Sequence, residues 1–178
     1  MDFLALAANR ESCRKYLDTP VERSKIAQCI EAARLGPSAC NSQPYRFVVV
    51  DDALKVKEMA DYLHMGKFNE FTRHTPAFIV ITDNTQVLLG NGKGQVYADK
   101  MLHIDIGIAS QNICLAATSM GLGTCIMGMF KEAEIKKMLN IPEDRRIGLV
   151  IAIGYPVYPT ARPKVRRAID DILSYNQY

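Results

Sequence analysis

Three polar side chains near the beginning of the sequence alternate in a pattern suited to binding an anion. Arg10, Ser12 and Arg14 are spaced by two, so in an extended segment their side chains project to the same face. Arginine forms forked hydrogen bonds with phosphate oxygens, and a neighbouring hydroxyl adds another donor. The pattern therefore predicts a phosphate site. The alternative is a solvated pair of arginines beside a turn.

A second alternating pair of cations lies near the other end of the sequence. Lys164 and Arg166 follow a proline, and in an extended arm these two side chains also point in one direction. Arg162 and Arg167 add to the positive charge. The segment fits either a binding site or a solvated basic tail.

Between these clusters, the loop 37–45 has an unusual density of amide and hydroxyl side chains. Its two prolines restrict the backbone. The polar groups can bond the edge of a planar polar ring, or they can cap the backbone of their own loop. The residues of interest here are Pro37, Ser38, Asn41 and Gln43.

Size and composition limit the classes of function. The 178 residues suit a single domain with one substantial core. A net charge of +3 is too small and too dispersed for nucleic-acid binding, and no apolar run is long enough to span a membrane. We therefore expect a soluble, untargeted cytoplasmic protein that binds neither nucleic acid nor a membrane.

The cysteines and histidines favour no metal site or disulfide framework. The five cysteines include no Cys-x-x-Cys pair, which favours a reducing compartment and a role for each thiol as a small buried apolar group. His103, Asp105 and Cys114 lie on one predicted helix, but their spacing does not place all three on one face.

Apolar periodicity predicts alternating helices and strands. Thr19 and Glu22 are spaced for a capping box, so a helix is expected from Thr19-Pro20 to Gly36. Further helices are predicted at 53–63, 99–120 and 131–139, and strands at 46–50, 77–81, 124–127 and 148–154. The helix 99–120 is expected to be surrounded on most sides. This order predicts an α/β (α+β) fold, a mixed β-sheet flanked by helices on both faces.

Two segments lie outside this pattern. Residues 84–95 are polar and glycine-rich, and the stretch 90–94 lacks the spacing of a phosphate loop, so we expect an irregular loop. The tail 155–178 carries Ile169, Ile172 and Leu173 with little core of its own. These side chains need an apolar partner, which a second subunit would supply.

Together, the motifs resemble the signatures of the FMN-dependent nitroreductase family. The family's two N-terminal signatures are similar to Arg10-x-Ser12-x-Arg14-x-Tyr16 and Gly36-Pro37-Ser38-x-x-Asn41-x-Gln43-Pro44-Tyr45-Arg46-Phe47. Its later landmarks are similar to Gly121-Leu122-Gly123-Thr124-Cys125, Gly154-Tyr155-Pro156 and Lys164-x-Arg166, in the same order. The five landmarks span essentially the whole chain.

This resemblance implies a nitroreductase-like fold in which two chains intertwine as a homodimer and place two FMN molecules at their interface. By the resemblance, the phosphate, ribityl chain and pyrimidine edge are held by Arg10, Ser12, Arg14, Lys164 and Arg166. Residues Pro37, Ser38, Asn41 and Gln43 approach the flavin from the partner, and Met127 and Gly128 lie beside the reactive ring face. Asn69 corresponds to a family residue near the ring.

The implied activity is the transfer of electrons from NADH or NADPH, through FMN, to an oxidised acceptor such as a nitroaromatic or a quinone. FMN carries the chemistry, so no catalytic side chain is needed. Met129 stands where the family often has glycine, and Glu11 must point away from the phosphate ligands. Two alternatives remain: a non-catalytic flavin-binding or storage module, and a flavin reductase or dehalogenase-like relative on the same fold.

Overall fold

A four-stranded antiparallel sheet organises the chain, which the computed structural model describes over residues 2–84 and 95–178, the side chains of 95–98 excepted. The spatial order of the strands is β1-β2-β4-β3. Their bounds are β1 (Tyr45–Val50), β2 (Ala77–Asp83), β3 (Gly123–Met127) and β4 (Ile147–Gly154).

Five helices in the described residues cover this sheet. They are α1 (Phe3–Asn9), α2 (Arg23–Arg34), α3 (Ala53–Leu63), α4 (Gln95–Ser119) and α5 (Glu132–Leu139), and short 3-10 turns occur at Ala39–Asn41, Glu70–His74 and Ile169–Asp171. The predicted mixture of helices and sheet is confirmed. The predicted α3 and β4 differ from the observed bounds by one residue at most.

Alternate residues of the two central strands separate the core into two clusters. Ile79 and Ile151 face α2 and α4, whereas Phe78 and Val80 face α3 and α5. Helices cover both faces, which explains why β2 and β4 are nearly continuous apolar runs in the sequence. The expected layer order, helices on either side of a sheet, is confirmed.

The strand pairing differs from the expected mixed sheet in one respect. Within the described ranges, all four strands pair antiparallel, and the parallel contribution is limited to an isolated bridge between Ser12 and Thr124. This bridge places the first cation cluster beside β3.

The predicted beginning of α2 was wrong. The helix begins at Arg23, and Glu22 has an extended backbone without a side-chain cap. The Glu22 carboxylate instead accepts a hydrogen bond of 2.6 Å from the Tyr155 hydroxyl, and Val21 is buried. These tertiary contacts hold the chain extended where the local sequence favours a capping box.

Two other expectations need correction. Helix α4 begins four residues earlier than predicted. It is buried on most sides, as expected, and His103, Ile104 and Gln111 lie on its exposed side. Cys40 is exposed, whereas the other four cysteines are buried as expected. The predicted loop at 84–95 lies outside the described residues from 85 to 94, and Gln95 is helical.

The tail 155–178 buries little apolar surface within its own chain. Ile169 and Ile172 are each 63% exposed, and Leu173 is 45% exposed. Regular structure in the tail is limited to one short 3-10 turn. These side chains therefore have little apolar cover within the single chain, and a second subunit as their partner stays a prediction.

The C-terminal residue of β4 provides a test of packing. A Cβ at Gly154 would lie 2.6 Å from Cγ of Pro76 and 2.7 Å from Cδ1 of Tyr16, both in rigid rings. We expect Gly154→Ala to lower the free energy of unfolding by about 1–3 kcal/mol in urea denaturation. In Gly148→Ala, on the same strand, the new Cβ meets the flexible end of Ile106, so the loss should be smaller. Equal losses would contradict this account.

Candidate functional site

The two cation clusters predicted from opposite ends of the sequence line one cavity. Its volume is about 350 Å³, and we call it the cation cavity. Its lining consists of Arg10, Glu11, Ser12, Arg14, Arg162, Pro163, Lys164, Val165 and Arg166. Either cluster alone was open to interpretation as a solvated surface, but their convergence favours a binding site.

Main-chain hydrogen bonds hold the first cluster in the extended conformation that its spacing required. The N–H of Cys13 donates to the carbonyl of Thr124 at 2.8 Å. The N–H of Leu17 donates to the carbonyl of Tyr155 at 2.8 Å, and the N–H of Val157 donates to the carbonyl of Lys15 at 3.1 Å. The segment 10–17 therefore lies between β3 and the chain that leaves β4.

Four cations at the cavity form no salt bridge within the described part of the chain. None of the side chains of Arg10, Arg14, Lys164 and Arg166 forms a salt bridge there; Glu11, which also lines the cavity, pairs with Arg162 at 2.7 Å. Burial and the charges of Arg10 and Arg166 lower the pKa of Lys164. An anion in the cavity would relieve this mutual repulsion.

The polar loop largely satisfies its own hydrogen-bonding groups within the single chain. The Ser38 hydroxyl accepts from the Gln43 N–H at 3.0 Å, and the Gln43 amide donates to the Asn41 carbonyl at 3.2 Å. Cys40, Asn41 and Gln43 have φ angles of 54°, 52° and 47°, a left-handed conformation that is unfavourable for residues with a side chain. None of these residues lines the cation cavity.

Asp105 ties this loop to α4, a role that the sequence analysis missed. Its carboxylate oxygens lie 3.1 and 3.2 Å from the N–H of Ala39, which donates to them. Asp105 is only 2% exposed, and burial raises its pKa. An acidic residue among the buried positions of an apolar helix was the available indication, because buried carboxylates need a partner.

The segment after β3 presents mainly its backbone. The Met127 side chain is buried in the core, so only its main chain is available beside a ligand, whereas Gly128 and Met129 are exposed. The Asn69 amide donates to the carbonyls of Leu63 and Met129, each at 3.1 Å. Asn69 therefore supports this segment, whether or not it also contacts a ligand.

The residues that the structure describes offer neither a metal site nor a membrane-spanning helix. They contain no group of three or more His, Cys, Asp or Glu side chains arranged to hold a metal ion. Nor does any of their helices combine the length and apolar character needed to cross a bilayer.

Comparison with known proteins decides the family. The sequence model of the nitroreductase family matches residues 7–70 and 55–155. This chain belongs to the nitroreductase family. It is 31% identical over 157 residues to a protein of Archaeoglobus fulgidus, covering 86% of this chain and 84% of that one, which is provisionally named an NADH dehydrogenase/NAD(P)H nitroreductase.

Two further comparisons agree with this assignment. A similarly named protein of Methanothermobacter thermautotrophicus is 32% identical over 161 residues, covering 88% of this chain and 78% of the relative. The crystal structure of a nitroreductase family protein from Streptococcus pneumoniae superposes with a TM-score of 0.88 at 25% identity, over 98% of this chain and all of the other. The nitroreductase fold expected from the motifs is confirmed.

The raised pKa of Asp105 gives a pH-dependent test. A carboxyl whose pKa is higher in the folded state contributes stability that is present at low pH and lost as the pH rises through the folded pKa. Asparagine resembles the protonated acid and does not titrate. We therefore expect the urea midpoint of Asp105→Asn, relative to wild type, to rise between pH 4 and pH 7. A constant difference would exclude a raised pKa.

Proposed function

We propose that this nitroreductase is an FMN-dependent oxidoreductase that passes electrons from NADH or NADPH to an oxidised acceptor such as a nitroaromatic or a quinone. The observation that carries the proposal is the cation cavity, where four cations that form no salt bridge in the described residues line a volume of about 350 Å³. A terminal phosphate dianion suits this donor set, because charge-assisted hydrogen bonds from Arg and Lys are strong and directional.

Each lining residue has a role in this proposal. Arg10 and Arg14 would bind phosphate oxygens from one side, and Lys164 and Arg166 from the other, with the Ser12 hydroxyl as a further donor. Bound FMN supplies the hydride and electron transfer. The chain's own contribution is therefore binding, orientation and positive charge.

A homodimer would bring the polar loop to this site. Within one chain, Pro37, Ser38, Asn41 and Gln43 do not line the cation cavity, so we propose that they reach the flavin bound mainly by the other protomer. The exposed face of α4 and the apolar side chains of the tail would be covered in the same assembly. We propose that each chain of 178 residues contributes one domain.

The donor and the compartment are proposed on separate grounds. The names of the two archaeal relatives support a nicotinamide donor. All five thiols are unpaired, which supports a reducing compartment, and we propose the cytoplasm. Met129 is 49% exposed, and its effect on the space beside Gly128 stays a prediction.

The cofactor proposal predicts a yellow protein that releases FMN on denaturation. Arg10→Ala combined with Arg14→Ala should weaken FMN binding by about 3 kcal/mol or more, since each charge-assisted hydrogen bond contributes about 1.5–3 kcal/mol. Fluorescence quenching on titration of the apoprotein gives the dissociation constants. A control with the same loss of charge, Arg34→Ala with Lys55→Ala, should bind normally, and a wild-type protein that refuses FMN would exclude the proposal.

Turnover is tested by steady-state kinetics. If donor and acceptor use the same face in turn, nicotinamide oxidation with a quinone acceptor gives parallel double-reciprocal lines. Intersecting lines would indicate separate sites. Flavin that is bound but not bleached by NADH or NADPH would identify a storage module instead.

Two variants test whether the flavin site is shared between the chains. Each variant is defective in one of the two segments that we propose to form the site. One carries Arg10→Ala and Arg14→Ala. The other carries Asn41→Gly and Gln43→Gly, where glycine keeps the positive φ angles of both positions. Each homodimer should lose FMN.

In a mixed dimer with two-fold symmetry, one site collects every defect and the other is wild type. Refolding the two variants together should therefore restore about one FMN per heterodimer. If both segments serve the site of their own chain, a verified heterodimer will recover no binding.

A further inference from the structure

Glu11 is a carboxylate at the edge of a cavity that otherwise presents cations. It lies between Arg10 and Ser12 in the sequence, and by its charge alone it should repel the phosphate that we propose for the site. The sequence required only that this side chain point away. The structure shows what it contacts instead.

Arg162 donates three hydrogen bonds, two to Glu11 and one to Ser12. Its Nε lies 2.7 Å from Oε2 of Glu11, and its backbone N–H lies 3.4 Å from the same oxygen. Its Nη2 donates to the carbonyl of Ser12 at 3.1 Å. The Arg162 contacts therefore join the beginning of the basic tail to the segment that carries Arg10 and Arg14.

The next contact along the tail lies close to this junction. Lys164, two residues beyond Arg162, donates its Nζ to the carbonyl of Arg10. Arg166 follows at the same spacing and also lines the cavity. A tail held at Arg162 is thus positioned to present both of its alternate cations to the first cluster.

Electrostatics opposes this arrangement when no anion is bound. Arg10 and Arg14 lie on one segment, Lys164 and Arg166 on the other, and their like charges repel. Among the described residues, Glu11 and Arg162 form the one salt bridge that joins the two segments. Burial acts to raise the pKa of Glu11, but hydrogen bonds from Arg162 outweigh it and lower the pKa, so the carboxylate stays ionised near neutral pH.

We infer that Glu11 is a positioning residue for the phosphate site: its ion pair with Arg162 holds Lys164 and Arg166 against Arg10 and Arg14, so that an acidic side chain strengthens the binding of an anion. The inference rests on the proposed FMN site. Glu11 does not contact the phosphate. It acts through Arg162 on the residues that do.

The direction in which Glu11→Gln changes FMN affinity distinguishes this inference from simple charge repulsion. If Glu11 acted only through its charge, Glu11→Gln would remove repulsion and tighten FMN binding a few fold. If Glu11 positions the tail, the same variant should weaken FMN binding about three- to tenfold, the range expected for loss of a partly exposed ion pair and the order it imposes. Glu11→Ala, which also loses the hydrogen bond, should weaken it further.

Riboflavin provides the comparison that isolates the phosphate. It has the same ring and ribityl chain as FMN without the phosphate, so its affinity for the apoprotein should not change in Glu11→Gln. General destabilisation would weaken both ligands. Glu31→Gln removes a comparable ion pair with Arg34 on α2 and should change neither affinity.

A double-mutant comparison tests whether Glu11 acts through Arg162. Arg162→Gln should weaken FMN binding, and adding Glu11→Gln should cause no further loss, because the pair is already broken. Additive effects, or recovery of affinity in the double variant, would overturn the inference.

Limited trypsin digestion gives a measurement that needs no flavin. Release of the tail should expose the bond after Lys164, so we expect the apoprotein of Glu11→Gln to be cut there about threefold faster than wild type, with intact mass identifying the cut. A wild-type protein that binds FMN no better than riboflavin would exclude the proposed cofactor. Wild-type selectivity for FMN that persists in Glu11→Gln, or an unchanged rate of cutting, would overturn the inference alone.

Discussion

The extended segment 12–16 lies so close to the sheet that neither Gly123 nor Gly154 has room for a side chain. A Cβ at Gly123 would lie 2.7 Å from Cβ of Cys13, and one at Gly154 would lie 2.7 Å from the ring of Tyr16. This close approach permits the main-chain hydrogen bonds to Thr124 and Tyr155 that hold the segment. The motifs around the two glycines and the first cation cluster are therefore parts of one contact.

The cation cavity is electrostatically unfavourable by itself and favourable with an anion. The fold brings the like charges together, and the ion pair of Glu11 with Arg162 offsets part of their repulsion. The remaining positive charge is left for a ligand. A site of this kind gains its selectivity from cations that form no salt bridge in the described residues, because a neutral occupant would leave their repulsion in place.

The sequence predicted most of the elements because their patterns are local. Helix α3 and strands β2 and β4 have strong periodicity or long apolar runs, and the observed bounds agree with the predicted ones to within two residues. The beginning of α2 was missed because Glu22 bonds Tyr155, which lies far away in the sequence. No local pattern contains such a contact.

The same distinction applies to the candidate site. Arg10, Ser12, Arg14, Lys164 and Arg166 were identified from their alternation and from the family resemblance, and the structure places all five around one cavity. The supporting contacts of Asp105 with Ala39 and of Arg162 with Glu11 were not predicted from the sequence. Both join segments that are distant in the sequence, so only the folded chain reveals them.

The separation of the two cation clusters along the chain has a consequence for biosynthesis. The contact between Lys164 and Arg10 joins residues 154 positions apart. All four strands precede Lys164 in the chain, so the ribosome synthesises them before the residues that complete the cavity. The cation cavity is therefore complete only after every strand of the sheet has been synthesised.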